Sequence, residues 1–163
     1  MKFSKPHVSA IAFLLTLTIF VFDFFYPSNS NTGKQITSQV FRRDSAMAVI
    51  DTWGQMDIYT SGETETFGTQ NIFTALTDVL PGKAVHPSHR HGEEEFLVIT
   101  RGSGMWSLKG ESIPAKAGDM IYADPWDFHG LVNTGSDTLT FFVIKWKNKL
   151  IDMPDEPTGD HGK

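Results

Sequence analysis

The stretch "HPSHRHGEEEFLVITRGSG", His86 to Gly104, sets three histidines and three glutamates within ten residues and runs straight into an apolar segment of strand type. Side chains alternate across an extended chain, so residues two apart project from one face. His89 and His91 therefore share a side. After the bend that Gly92 permits, Glu93 and Glu95 share a face of the following strand with Leu97 and Ile99, while Glu94 points the other way. Two imidazoles and a carboxylate can thus converge where an apolar strand face begins. His129, in "DPWDFHGLVN" (Asp124 to Asn133), opens another short apolar run and offers a fourth ligand. Spacing alone leaves two readings open: a solvated polar turn beside an ordinary surface histidine, or a set of metal ligands.

Working outward, the same rhythm of short runs extends over the next hundred residues from Met56. "MDIYT" (56–60), "NIFTALTDVL" (71–80), "EFLVIT" (95–100), "GMWSLK" (104–109), "MIYAD" (120–124), "HGLVN" (129–133) and "TLTFFVIKWK" (138–147) are rich in β-branched and aromatic residues. Each is bounded by Gly, Pro, Asn or Asp, in turns such as "LPGK", "RGSG" and "KAGD". No period of 20 to 50 residues repeats, so the pattern predicts an all-β sandwich or small barrel and not a propeller or solenoid. Met105, Trp106, Met120, Phe141, Phe142 and Trp146 alternate on these runs and are expected as barrel core or subunit surface. One segment reads differently. Ala46, Val49, Ile50 and Trp53 recur at helical spacing after "RRDS", where Asp44 or Ser45 can cap, which predicts a short helix within 41–53.

The chain of 163 residues has room for one domain and an appendage. A net charge of -5 gives no electrostatic basis for nucleic-acid binding, and no basic run is present. The absence of cysteine excludes disulfides, thiolate ligands and a cysteine nucleophile, so any metal must be held by nitrogen and oxygen. Lys2 and Lys5 precede fifteen uncharged residues, Val8 to Phe22, which reads as an export signal or, extended through Tyr26, a membrane anchor. The expected organisation is a signal peptide or anchor over 1–30, a polar linker over 31–40, a β domain over 41–149 and a flexible acidic tail over 150–163, with His161 solvent-exposed in it. The domain would then be extracytoplasmic, either periplasmic or secreted, or tethered to the membrane through an uncleaved leader.

Two linked motifs resemble those of the cupins. The first cupin motif runs Gly, five residues, His-x-His, three or four residues, Glu, six residues, Gly. Here Gly82 is followed by six residues, then His89, His91, three residues, Glu95, six residues and Gly102. The second runs Gly, five residues, Pro-x-Gly, two residues, His, three residues, Asn; here Gly118 leads through Asp124, Pro125 and Trp126 to His129 and Asn133. Asp124 stands in place of the motif's proline and Trp126 in place of its glycine. The resemblance covers Ile72 to Lys147, and the fifteen residues between Gly102 and Gly118 are similar to the compact bacterial members. It implies a six-stranded barrel within a double-stranded β-helix, or jelly roll, and a divalent metal ion held by His89, His91, Glu95 and His129. Family habit implies Fe or Mn, with Zn, Ni or Cu compatible with the same donors. It also implies a homodimer.

One fold of this kind hosts many reactions, so function must come from the site. One expectation is a metalloenzyme of the dioxygenase, lyase or isomerase type acting on a small-molecule substrate, with Glu93, His86 or Asp124 moving a proton. The other is a noncatalytic binding module for a small polar ligand. An indole at Trp126 is expected to pack over the barrel mouth and narrow it, while Asp124 and Asp127 either complete an Asx-type turn around Pro125 or serve His129.

Overall fold

The computed structural model describes residues 33–159. The N-terminal segment expected as signal or anchor and His161 lie outside the described residues. The strands are β1 (Lys34–Gln35), β2 (Met47–Asp51), β3 (Gly54–Thr60), β4 (Thr64–Glu65), β5 (Thr69–Val79) and β6 (Glu94–Arg101). They continue with β7 (Ser103–Leu108), β8 (Glu111–Lys116), β9 (Met120–Ala123), β10 (His129–Val132) and β11 (Leu139–Asn148). A six-stranded sheet of order β2-β3-β5-β11-β6-β9 faces a three-stranded sheet of order β10-β7-β8, the two-layer arrangement of a jelly roll. The all-β expectation holds, and all seven runs read as strands form them.

Alternation on the central strands sets the core. Leu139, Phe141 and Val143 of β11 point inward beside Ile99 and Leu97 of β6 and Val79 and Ala75 of β5. Trp106, 2% exposed, closes the layer from the three-stranded sheet. Truncating Ile99 or Leu139 to alanine, at 1% and 0% exposure, costs about 2–5 kcal/mol by loss of burial and the cavity left behind. Of the remaining aromatic and methionine positions, Phe141 is core, Phe142 and Trp146 lie half-buried on the outer face, and Met120 is 66% exposed on edge strand β9.

Two elements depart from expectation. The predicted helix within 41–53 is instead a 3-10 turn, Arg43–Ser45, followed by β2, which pairs antiparallel with β3 from Met47 opposite Ile58 to Asp51 opposite Gly54. Helical spacing of four apolar residues was coincidental; β-branched Val49 and Ile50 fit a strand, and β3 supplies the hydrogen-bond partner. Gly54 makes the tight hairpin work, with φ 142 and a built Cβ that would meet the Asp78 carbonyl. Strand β8, "ESIPAK", went unread because it is polar and contains Pro114, which is tolerated there because β8 is an edge.

The tail is also more than a loose end. Residues 150–159 are exposed yet strapped back to the domain: Arg90 binds the Glu156 carboxylate and the Gly159 carbonyl, and the Trp126 indole donates to Pro154 O at 2.6 Å. Met153 and the Trp126 ring lie so close to Gly92 that a side chain at that position would have to displace them.

Candidate metal centre

Two backbone segments are stitched together at the centre. His89 and His129 form an isolated antiparallel bridge, each N–H donating to the other's carbonyl at 2.9 Å. Their ring centroids stand 4.7 Å apart. The Trp126 N–H donates to His91 O at 2.7 Å, fixing the second histidine of the pair to the β9–β10 turn. Glu95 enters from the start of β6, 8% exposed, and continues the inward row of Leu97 and Ile99 as alternation predicts. The donor atoms of His89, His91 and His129 all lie within 4.8 Å of one another, a cluster able to hold a metal ion.

Tautomers follow from the hydrogen bonds. His91 Nδ1 faces the Glu93 carbonyl at 3.0 Å and His129 Nδ1 faces the Asp127 carbonyl at 2.7 Å. A carbonyl only accepts, so both Nδ1 atoms carry the proton, and in the neutral rings both Nε2 atoms present lone pairs. Those lone pairs point at a carboxylate: His91 Nε2 is 3.3 Å from Glu95 Oε2, and His129 Nε2 is 3.5 Å from Glu95 Oε1. His129 Nε2 and His89 Nδ1 are buried without a hydrogen-bond partner. Acceptors facing acceptors in a desolvated place repel unless a cation lies among them. The residues therefore fit a divalent metal, and backbone carbonyls hold two of its imidazoles in the correct tautomer, as metal-binding histidines require.

Electrostatics agree. Burial pushes the His89 imidazole down to about 4, helped by His86, His129 and His91, so it stays neutral at physiological pH. Burial raises the Glu95 carboxyl, while a proton on His129 or His91 facing it would bring it down to about 2; with both Nε2 atoms unprotonated, that stabilising charge is left to a cation. A neutral imidazole, as at His89, and an ionised carboxylate are the ligand states a divalent ion needs.

The remaining candidates divide. His86 lines the cavity and sits edge-on to His89 at 4.1 Å between centroids. Glu93 precedes β6, and its carboxylate lies behind His91, 3.5 Å from Nδ1 and 3.6 Å from Lys147 Nζ, not in the cavity. Asp124 accepts from the Tyr122 hydroxyl at 2.8 Å and is exposed; the structure does not bring it to the cavity. Asp127 serves His129 through its backbone carbonyl, while its side chain pairs with Lys109 at 2.8 Å. Trp126 corrects the expectation that it narrows the mouth: it takes φ 67, the left-handed conformation the motif's glycine provides, and packs outward against Gly92 and the tail.

The centre opens into a cavity of about 200 Å³, walled mostly by apolar side chains including Phe73, Leu131, Phe141 and Val143. Lys145 lines it too and was missed from the sequence. It continues the inward row of Phe141 and Val143, a parity that only becomes readable once those two are known to be core.

A jelly-roll barrel with an imidazole cluster at the mouth of an apolar cavity defines the class. Residues 75–145 match the cupin domain family model, and that segment is a cupin domain. An oxalate-binding protein of Thermotoga maritima is 34% identical over 64 residues, 39% of this chain and 53% of that protein. A gentisate 1,2-dioxygenase of a Streptomyces species is 28% identical over 76 residues, 46% of this chain and 21% of that protein. The matched segment thus spans about half or less of these curated relatives. The crystal structure of a predicted oxalate decarboxylase from Thermotoga maritima superposes with a TM-score of 0.54 at 23% identity, over 67% of this chain and 99% of that one, a likeness of fold.

Proposed function

We propose that this protein is a metalloenzyme that binds a small organic acid in its barrel and transforms it by dioxygenase, lyase or isomerase chemistry. The observation that carries this reading is the convergence of two imidazole lone pairs on the Glu95 carboxylate, at the mouth of a cavity large enough for a small ligand. His89, His91, Glu95 and His129 would hold the metal, Fe or Mn in the first instance, with Zn, Ni or Cu accommodated by the same donors. Bound there, it would supply Lewis acidity or oxygen activation. The similar oxalate-binding protein and gentisate dioxygenase support an acid as the ligand. His86 is the sequence-expected proton carrier that lines the cavity, and Glu93 supports His91 from behind.

Elemental analysis of the full-length, tag-free protein tests the centre. Near-stoichiometric Fe, Mn, Zn, Ni or Cu is expected in the wild type and little in His89→Ala/His91→Ala. No metal after supplementation, or equal metal in both, ends this reading.

A second reading is a noncatalytic module that only binds its ligand. It is favoured by the cavity's scarcity of proton-transfer groups, since besides three of the four proposed metal ligands its lining holds just His86 and Lys145 as titratable residues. Failure to turn over any acid that the metal-loaded protein binds would select it. The charged start and apolar run from Val8 to Phe22 support export, to be checked by fractionation of the host cell. The exposed apolar residues Met47 and Ile50 on free-edged β2 support a homodimer, to be checked by light scattering.

A further inference from the structure

The C-terminal end of β11 carries lysines at every second position, and their surroundings differ. Lys147 pairs with Glu93 at 3.6 Å, and Lys149 just beyond the strand pairs with Glu65 at 2.8 Å. Lys145 has no ion pair or hydrogen bond among the described residues, although Glu95 is its direct cross-strand neighbour. Glu95 is instead turned to His91 and His129. The ammonium of Lys145 lies 5.7 Å from the centroid of Phe73, its neighbour on the other side, inside the cavity. A second donor shares that cavity: Trp106 is 2% exposed, and its indole N–H is buried with no acceptor. An unpaired cation and an unmet N–H donor beside the apolar walls of Phe73, Leu131, Phe141 and Val143 describe a complementary ligand.

We infer that Lys145 is the residue that selects an anionic ligand, and that this ligand is a carboxylate with an apolar body, an aromatic or branched acid, held between Lys145 and the metal centre. The inference rests on the metal reading above and deepens it. The apolar body follows from the walls: Phe73, Leu131, Phe141 and Val143 give a small dianion such as oxalate little contact beyond Lys145 and the Trp106 indole, whereas an apolar body buries its surface against them. The charge follows from Lys145, which a neutral ligand would leave desolvated and unpaired. Lys145 belongs to the binding surface and not to the metal shell, so its removal should change selectivity without changing metal content.

The test is calorimetric titration of the full-length, metal-loaded protein with 2-hydroxybenzoate, its neutral analogue 2-hydroxybenzamide, and oxalate, in wild type, Lys145→Met and Lys145→Arg. The wild type should bind the acid in preference to both the amide and oxalate. Lys145→Met should weaken the acid by about tenfold while changing the amide less than about twofold, a coupling of the size found for close charge pairs in binding sites. Lys145→Arg should recover part of the preference. An unchanged acid-to-amide ratio in Lys145→Met, oxalate binding more tightly than the aromatic acid, or no binding of either benzoyl compound to the wild type overturns the inference. Metal content measured on the same samples separates the two claims. Metal-free protein that still loses its acid preference in Lys145→Met keeps the anion site and refutes the metal centre; fully loaded protein with no Lys145 effect does the reverse.

Discussion

Two charged clusters sit on this barrel, and they are built on opposite principles. On the outer face, Arg43 Nε binds Asp57 Oδ2 at 2.7 Å and Arg43 Nη2 binds Asp78 Oδ2 at 2.9 Å. The other carboxylate oxygens are taken by Gln55 at 2.7 Å and by Thr140 at 2.7 Å. All four carboxylate oxygens meet a donor. Inside the mouth, Glu95 faces two imidazole lone pairs, and buried ring nitrogens of His89 and His129 find no partner. The first cluster completes its own valences and ties the segment before β2 to β3 and β5. The second leaves its valences pointing at a common place, which is how a site that binds an ion differs from one that only holds the fold.

Breaking the inner cluster should produce the largest effect. His129→Ala removes a buried imidazole proposed as ligand and one side of the tautomer-locked pair, and should lower bound metal from near one per chain to below about a tenth, as loss of a ligand exceeds the 10–100-fold cost of losing its outer support. The stabilisation that added metal gives the wild type, about 2.7 kcal/mol at a hundredfold excess over Kd, should vanish with it. Thermal melts with and without metal make the comparison; a metal-dependent rise in Tm that survives in the variant would refute His129 as ligand.

The outer cluster should respond in stability alone. Arg43→Ala leaves Asp57, whose side chain is 4% exposed, with a single donor, at a cost of about 1–3 kcal/mol for an under-satisfied buried carboxylate. Arg43 itself is half-exposed, which keeps the figure below that for a fully buried pair. Metal content should not move. Urea unfolding beside elemental analysis reads both, and metal loss comparable to that of His129→Ala would erase the distinction drawn between the clusters.

A smaller, pH-dependent difference sharpens the same contrast. Burial alone would raise the Asp78 carboxyl, but its bonds from Thr140 and Arg43 outweigh that and hold it below its ordinary 3.8. The unfolded chain therefore takes up this proton at higher pH than the folded one. Its contribution is present above about pH 4 and is lost as pH falls below that, through the depressed folded value. Arg43→Ala should flatten that part of the acid limb. An acid limb of unchanged slope between pH 4 and 2, measured against wild type by urea unfolding, would show that Arg43 does not hold Asp78 ionised.

How much of this the sequence disclosed follows from where side-chain alternation applies. Glu95, Leu97 and Ile99 share a face because β6 is regular from Glu94 onward, and the proposed ligand motif was legible for that reason. Glu93 and Asp124 lie just outside β6 and β9, so parity arguments do not reach them, and both leave the cavity. Lys145 obeys parity, yet "FFVIKWK" is apolar on both faces, and nothing in it says which face is inside until β5 and β6 pair with it. The short β2 was misread because Ala46, Val49, Ile50 and Trp53 match the helical period alone, and pairing with β3 overrode that local signal. The tautomers of His91 and His129 depend on carbonyls of Glu93 and Asp127, a contact no spacing rule reports.

The tail strap gives the smallest expected effect and the finest test of how the inner cluster is supported. Trp126 holds a left-handed backbone that usually costs a non-glycine residue about 1–2 kcal/mol, and its indole, through Pro154 O, is one of the tail's two anchors, Arg90 being the other. Trp126→Phe keeps the backbone constraint and removes only that donor, so overall stability should change by about 1 kcal/mol or less. Residues 150–159, already exposed, should then be cleaved several-fold faster by a nonspecific protease, because local release governs cutting when opening is fast. Met153 would leave Gly92, but the Trp126 N–H to His91 O bond belongs to the backbone and remains. Metal affinity should therefore hold within about twofold of wild type, a limit set by the intact carbonyl contacts of both imidazoles. Faster cleavage with unchanged metal binding would make the strap a separate layer laid over the centre; a tenfold fall in metal affinity would make the tail part of what positions His91.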